Sequence, residues 1–216
     1  MCLKMSFEMQ RRLRRLSVRN LMNYVVGGMA VCYVLSMFIP GLYGMLSLSR
    51  AALLRGQIWR LLTFIFLPSG GSMLGVLLSL YFYWMIGSTL ENQWGTFKFN
   101  LFYFVGVIGS ILAALLTGYS DNTYLNLSLF LAFASMFPDY QVLLFFFLPV
   151  KMKYLALLDV VLYVWLFITG GWSARVTILL CLANVLLFVG GDFINTLRRE
   201  MGYWKTRYHF RRAMRK

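Results

Sequence analysis

The sequence predicts an all-α, polytopic membrane protein: a bundle of six transmembrane helices with an interfacial loop between the first and the second. Three observations predict it. Of 216 residues, 60% are hydrophobic and 18% aromatic, and only seven carry a carboxylate, a balance that belongs to the membrane class. Apolar runs of the length that crosses a hydrocarbon core recur along the chain, separated by Gly, Pro and polar clusters. The net charge of +14 is concentrated at the ends, since fourteen of the 21 Lys and Arg residues lie in residues 1–20 and 197–216. By the positive-inside rule both termini are then cytoplasmic, which requires an even number of spans. A nucleic-acid partner would want the charge spread over one face, and none is expected.

Three regions follow: a basic N-terminal tail over 1–20, a membrane domain over 21–192, and a basic C-terminal tail over 193–216. In residues 7–20, Met9, Leu13 and Leu16 share one helical face with arginines around the rest. That is either an interfacial amphipathic helix or a disordered basic topology signal. The first span runs from about Leu21 to Ile39 and ends at Pro40-Gly41; it lacks a small-residue cleavage site and reads as an uncleaved helix.

Residues 41–71 form a long outer loop. Within it Gly56 breaks the chain, and the apolar run from Leu61 stops at Pro68, too short to cross a bilayer. Gln57, Trp59 and Arg60 mark this loop, with Trp59 and a snorkelling Arg60 expected as an interfacial pair at headgroup level.

The second span, Met73 to Leu90, precedes Glu91-Asn-Gln-Trp-Gly95, which reads as the return to the cytoplasm. The third, Phe97 to Leu116, aligns Gly106, Ser110 and Ala114, a small-residue stripe that should face another helix. A short fourth span covers Thr123 to Phe137. Residues 139–151 admit two readings, an interfacial return segment or part of a longer helix. The fifth span runs from Met152 to Thr169 and the sixth from Ser173 to Val189. Beyond Thr196, Leu197, Met201, Trp204 and Tyr208 recur at helical spacing among basic residues. The two tails together either bind anionic lipid headgroups or only fix orientation.

The segments Gly56-Gln-Ile-Trp-Arg-Leu-Leu-Thr-Phe64, Gly87-Ser-Thr-Leu-Glu91-Asn-Gln-Trp94-Gly95 and Phe137-Pro138, in this order over residues 20–192, resemble the rhomboid superfamily and its derlin-like relatives. The resemblance implies a six-helix rhomboid-like bundle. Rhomboid proteases carry a Gly-Xaa-Ser-Gly motif at the start of the fourth helix and a His in the sixth, because a buried serine needs a positioned base. Here the fourth helix opens Asn122-Thr-Tyr-Leu-Asn126-Leu-Ser128, with no glycine beside any serine, and the sixth has Leu182, Ala183 or Asn184 near the place of the base. The only histidine, His209, lies in the tail. Ser128 is read as a packing or back-bonded serine, no catalytic residue is assigned, and no enzyme activity is expected.

The cysteines Cys2, Cys32 and Cys181 form no spaced pair, and the seven acids form no metal or acid–base constellation, so neither a metal nor a cofactor is expected. Asp159 is the one acid well inside a span, about 9 Å above the inner interface by its distance from Lys153. A charge there should face the interior and find a partner, and Asn184, at a similar depth on the neighbouring span, is expected to supply it. With Asn126 and Ser128 these form the intramembrane polar set.

The resemblance implies a pseudoprotease that binds the transmembrane segments of client membrane proteins, with local bilayer thinning. The alternatives are a divergent intramembrane serine peptidase using Ser128, and a small proton-coupled transporter using Asp159. The expected partners are the bilayer, anionic lipids and membrane-protein clients, and the expected location is a bacterial cell membrane.

Overall fold

The computed structural model describes residues 17–68, 72–144 and 148–190. The tails, and with them the amphipathic stretches and His209, lie outside the described residues; of residues 7–20 only 17–20 fall within them, where the chain turns into the first helix.

Helix α1, Leu21–Phe38, is followed by the short helices α2, Leu42–Leu46, α3, Arg50–Leu54, and α4, Arg60–Thr63, with the two-residue strand β1, Leu48–Ser49, between α2 and α3. A 3-10 turn, Phe64–Phe66, closes this loop. Helices α5, Met73–Trp94, and α6, Thr96–Thr117, lead to strand β2, Tyr119–Ser120, and helix α7, Thr123–Met136. Strands β3, Gln141–Leu144, and β4, Leu148–Lys151, precede helices α8, Met152–Thr169, and α9, Trp172–Gly190. Five of these helices, α1, α5, α6, α8 and α9, are long and apolar enough to cross a membrane, and α7 is a shorter apolar helix.

The bundle is built around α6 and α7, which hold more buried residues than any other helix. The stripe of Gly106, Ser110 and Ala114 is buried as its small size predicts, with Gly106 turned toward Leu125 and Asn184. Close approach recurs where α5 meets α1: a side chain at Gly87 would run into Met22. Helix α8 lies at the edge, where its only buried residue is Met152.

The loop over 41–66 folds onto one end of the bundle, hereafter the loop end. Strand β1 pairs antiparallel with β2, Leu48 opposite Ser120, and the Arg50 N–H donates to the Gly118 carbonyl at 2.9 Å. Leu48 and Phe64 are fully buried, and Gly28 of α1 admits the Phe66 ring where any side chain would collide. Asn122, buried at the start of α7, donates through Nδ2 to the carbonyls of Ile65 at 3.2 Å and Leu67 at 2.5 Å. The loop is thus sewn to the α6–α7 turn by backbone pairing and by one amide. Cysteines introduced at the exposed positions Met45 and Tyr119 are therefore expected to react with an impermeant thiol reagent from the same side of a sealed membrane, and one at Tyr140 from the other. Labelling of 45 and 119 from opposite faces would refute this arrangement.

The end of the second span is corrected: it does not stop at Leu90, since Glu91-Asn-Gln-Trp94 is the last turn of α5, which stops only at Gly95, where φ is 80°. Only glycine holds that left-handed region readily, which lets α6 start at once. Of the two readings of residues 139–151, the longer helix is not formed: among the described residues β3 and β4 make an antiparallel ladder with Gln141 opposite Lys151 and Val142 opposite Val150. An open two-stranded ladder has unpaired edges, so it belongs beyond the hydrocarbon, where water can reach them. It is tied to the bundle by Met152 N–H to Tyr140 O at 2.8 Å and Lys153 N–H to Pro138 O at 3.0 Å. Asp139 accepts from Lys153 at 3.2 Å and Lys151 at 3.3 Å, and these ammonium groups hold its carboxyl below the usual range. The contact is present above the carboxylate's ordinary pKa and is lost only as pH falls through the lowered one.

Candidate functional site

The outer loop motif resolves into a clamp. Arg60 is only 8% exposed. Its Nε donates to Gln57 Oε1 at 2.7 Å, and its Nη1 to the carbonyls of Gly44 at 2.6 Å and Ser47 at 2.7 Å. Gln57 and Arg60 stand one turn apart, so the amide orients the guanidinium, and Gly56 at φ 84° makes the turn that brings the chain into position. Trp59 points outward, 54% exposed. The expected interfacial pair is therefore split, because three fixed oxygens inside the loop hold the cation better than a headgroup layer would.

The motif at the end of α5 is also structural. Buried Glu91 accepts from the Asn20 N–H at 2.8 Å, placing a carboxylate at the start of α1, where the helix dipole favours it. Trp94 packs edge-on to Phe102 with ring centroids 5.3 Å apart, and Lys98 Nζ lies 4.9 Å from the Trp94 ring centre. Asn100 adds a bond from Nδ2 to the Val18 carbonyl at 3.1 Å. Glu91 and Gly87 fasten the beginning of α1 to α5, while Trp94 and Gly95 shape the α5–α6 corner.

The intramembrane polar residues divide across α7. Asn126 and Ser128 are two residues apart, which at about 100° per residue sends their side chains to opposite faces. On one face Ser128 Oγ donates back to the Leu125 carbonyl at 2.7 Å, and Asn184 Nδ2 of α9 donates to Ser128 Oγ at 3.4 Å. Asn184 is 4% exposed, its Oδ1 has no hydrogen-bond partner, and a side chain at Gly106 would lie 2.9 Å from its Nδ2. Gly106, Ser110 and Thr177 border the pair, around a space of about 10 Å³, room for roughly one water.

On the other face Asn126 borders an open cleft of about 300 Å³ between α5, α7 and α8, together with Thr123, Ser79, Tyr83, Asp159 and Tyr163. Asp159 is half-buried there, and buried Asn126 has no partner for its Nδ2. Tyr163, one turn beyond Asp159, meets Tyr124 with ring centroids 6.2 Å apart. The expected contact between Asp159 and Asn184 does not form: Asn184 is bonded to Ser128, and the body of α7 stands between the two clusters. Along α8 Asp159 stands where the sequence reading has it, six residues beyond Lys153, and it shares its cleft with the first two turns of α7.

Among the described residues no group of His, Cys, Asp and Glu is placed to hold a metal ion. Cys32 and Cys181 are free thiols. The buried loop-fastening Asn122 and the Tyr163–Tyr124 contact were missed in the sequence, where none of the three residues is singled out by a motif.

A bundle of long apolar helices around a buried polar centre defines an all-α, multi-pass integral membrane protein. The chain belongs to the family described as eukaryotic integral membrane protein (DUF1751), whose model matches residues 23–190. That assignment overturns the expectation of a bacterial cell membrane, since the family is eukaryotic. Comparison with curated proteins and with solved structures gives no match.

Proposed function

We propose that this integral membrane protein is a rhomboid-like pseudoprotease that binds the transmembrane segments of client membrane proteins and does not cleave them. The observation that carries the reading is the pair Ser128–Asn184. These residues stand on the fourth and sixth membrane helices, where the resemblance puts nucleophile and base. The Ser128 hydroxyl is already donated in a hydrogen bond to the Leu125 carbonyl, and the side chain beside it is an amide, which offers no lone pair basic enough to accept a proton near neutral pH. What remains is an open cleft on the other face of the same helix, suited to receive a helix from the bilayer. The short α7, 14 residues or about 21 Å against a core of about 30 Å, supports local thinning of the membrane beside that cleft.

The test is reconstitution of the purified protein with single-span substrates and with a serine-reactive fluorophosphonate. No cleavage and no labelling are expected, and Ser128→Ala should change neither readout. Cleavage abolished by Ser128→Ala, or specific labelling of Ser128, would replace this reading with that of a divergent intramembrane peptidase.

A further inference from the structure

Among the described residues Asp159 is the only charged side chain lining the cleft between α5, α7 and α8, and it stands mid-way along α8. Among the described residues no cation lines the cleft; Lys151, which ends β4, and Lys153, in the first turn of α8, are engaged by Asp139. On the same wall, Asn126 Nδ2 is a buried donor without an acceptor. On the opposite flank of α8 lies a second cleft, of about 260 Å³, lined only by apolar side chains and Tyr163, including Leu131, Val160, Phe167 and Leu182. Two openings of similar size thus border one helix, and only one of them is polar.

We propose that the polar cleft selects spanning helices that carry a lysine or arginine near mid-membrane, with the client's cation paired to Asp159. This rests on the client-binding reading above and names the class of client. Physical chemistry favours a cation over a neutral helix. An ionised carboxylate at that depth is costly alone, and a basic residue in the middle of a lone apolar helix is costly in lipid for the same reason. Each compensates the other when they meet, and the attraction between them is strengthened by the low dielectric around the cleft. A neutral apolar helix covers the carboxylate without pairing it. A helix with an acid repels it. The free amide of Asn126 offers a second bond to a carbonyl or hydroxyl of the bound helix, which helps fix its register.

The experiment uses the full chain reconstituted in phosphatidylcholine vesicles, with a photo-crosslinking amino acid in place of Phe82 at the cleft or, as a control, in place of Ile108 on the lipid-facing side of α6. The probes are Leu/Ala spanning peptides of about 20 residues bearing a central Lys, a central Leu, a central Asp, or a Lys one or two turns from an end. The central-Lys peptide is expected to crosslink at 82 about tenfold more than the central-Leu peptide, a ratio within reach of one additional charge pair. The peptides with Asp or a displaced Lys should crosslink no better than the central-Leu one. Asp159→Asn, which keeps the side-chain shape, should abolish the preference. The comparison of peptides on the wild-type chain needs no variant, so a folding defect in Asp159→Asn cannot hide the answer. Equal crosslinking of the central-Lys and central-Leu peptides at 82, both above the control at 108, overturns the proposed selectivity and leaves client binding standing. A preference that survives Asp159→Asn overturns it as well. If no peptide exceeds the control, the selectivity and the client-binding reading fall together.

Discussion

Replacing Arg60 with alanine is expected to cost about 3 kcal/mol of stability and to free the loop over 41–66 from the bundle. Hydrogen bonds to a charged group contribute roughly 1.5–3 kcal/mol each, and Arg60 makes three, to Gln57, Gly44 and Ser47. The full sum is not expected, because Gly44 lies at the exposed rim and its carbonyl can be rehydrated once the guanidinium is gone. Arg60→Lys should fall between, since one ammonium can reach the carbonyls but cannot also present an Nε to Gln57. Gln57→Ala should lose about 1 kcal/mol, and the double variant should lose less than the two singles together, since both break one shared bond. Unfolding in detergent, read with amide exchange across residues 41–66, measures all four. If Arg60→Ala unfolds no more readily than Arg55→Ala, an exposed arginine in the same loop, the clamp contributes nothing.

Glu91→Ala should lose about 2–3 kcal/mol. The variant removes the acceptor from the Asn20 N–H and takes a negative charge from the start of α1, where the dipole of an 18-residue helix favours one. Glu91→Gln keeps an acceptor of nearly the same shape but not the charge, so about 1 kcal/mol is expected. The site is only 5% exposed, so water replaces the carboxylate poorly. The effect should appear first as faster amide exchange at Asn20, before any loss of the loop end. Equal exchange at Asn20 in the wild type and in Glu91→Ala would show that the bond does not hold the helix start.

Helix positions were legible because their ends are punctuated. Pro40, Pro68, Gly95, Gly118 and Gly170 each follow or precede a helix, and the start of α5 at Met73 and both ends of α8 agree with the sequence reading. Helix rotation was not legible. Lipid is as apolar as a packed core, so a membrane helix carries little contrast between its two faces, and depth can be counted where azimuth cannot. That is why Asn184 was paired with Asp159 when Gly106 and Ser128 hold it on the other side of α7. The hairpin of β3 and β4 was hidden for a related reason: a run of Val, Leu and Phe is compatible with a buried helix segment and with a strand alike. Arg60 was misplaced because nothing in its neighbours announces that two main-chain carbonyls converge on it. The polar residues themselves, Asn126, Ser128, Asp159 and Asn184, were visible; their division into two sites required the fold.

The brevity of α7 and the acid in α8 bear on how the chain enters the membrane during synthesis. A carboxylate at the centre of a helix adds about 2.5–3.5 kcal/mol to its insertion, and α7, at 14 residues, is too short to repay much through its own hydrophobicity. Neither is a strong insertion signal alone. They are joined through the compact β3–β4 ladder, whose bonds to Tyr140 and Pro138 hold the end of one beside the start of the other. Insertion as a helical pair lets Asp159 leave the translocon already facing Asn126 and not lipid. The ladder would then serve biogenesis as a staple that keeps a short membrane segment and an acid-bearing one in step.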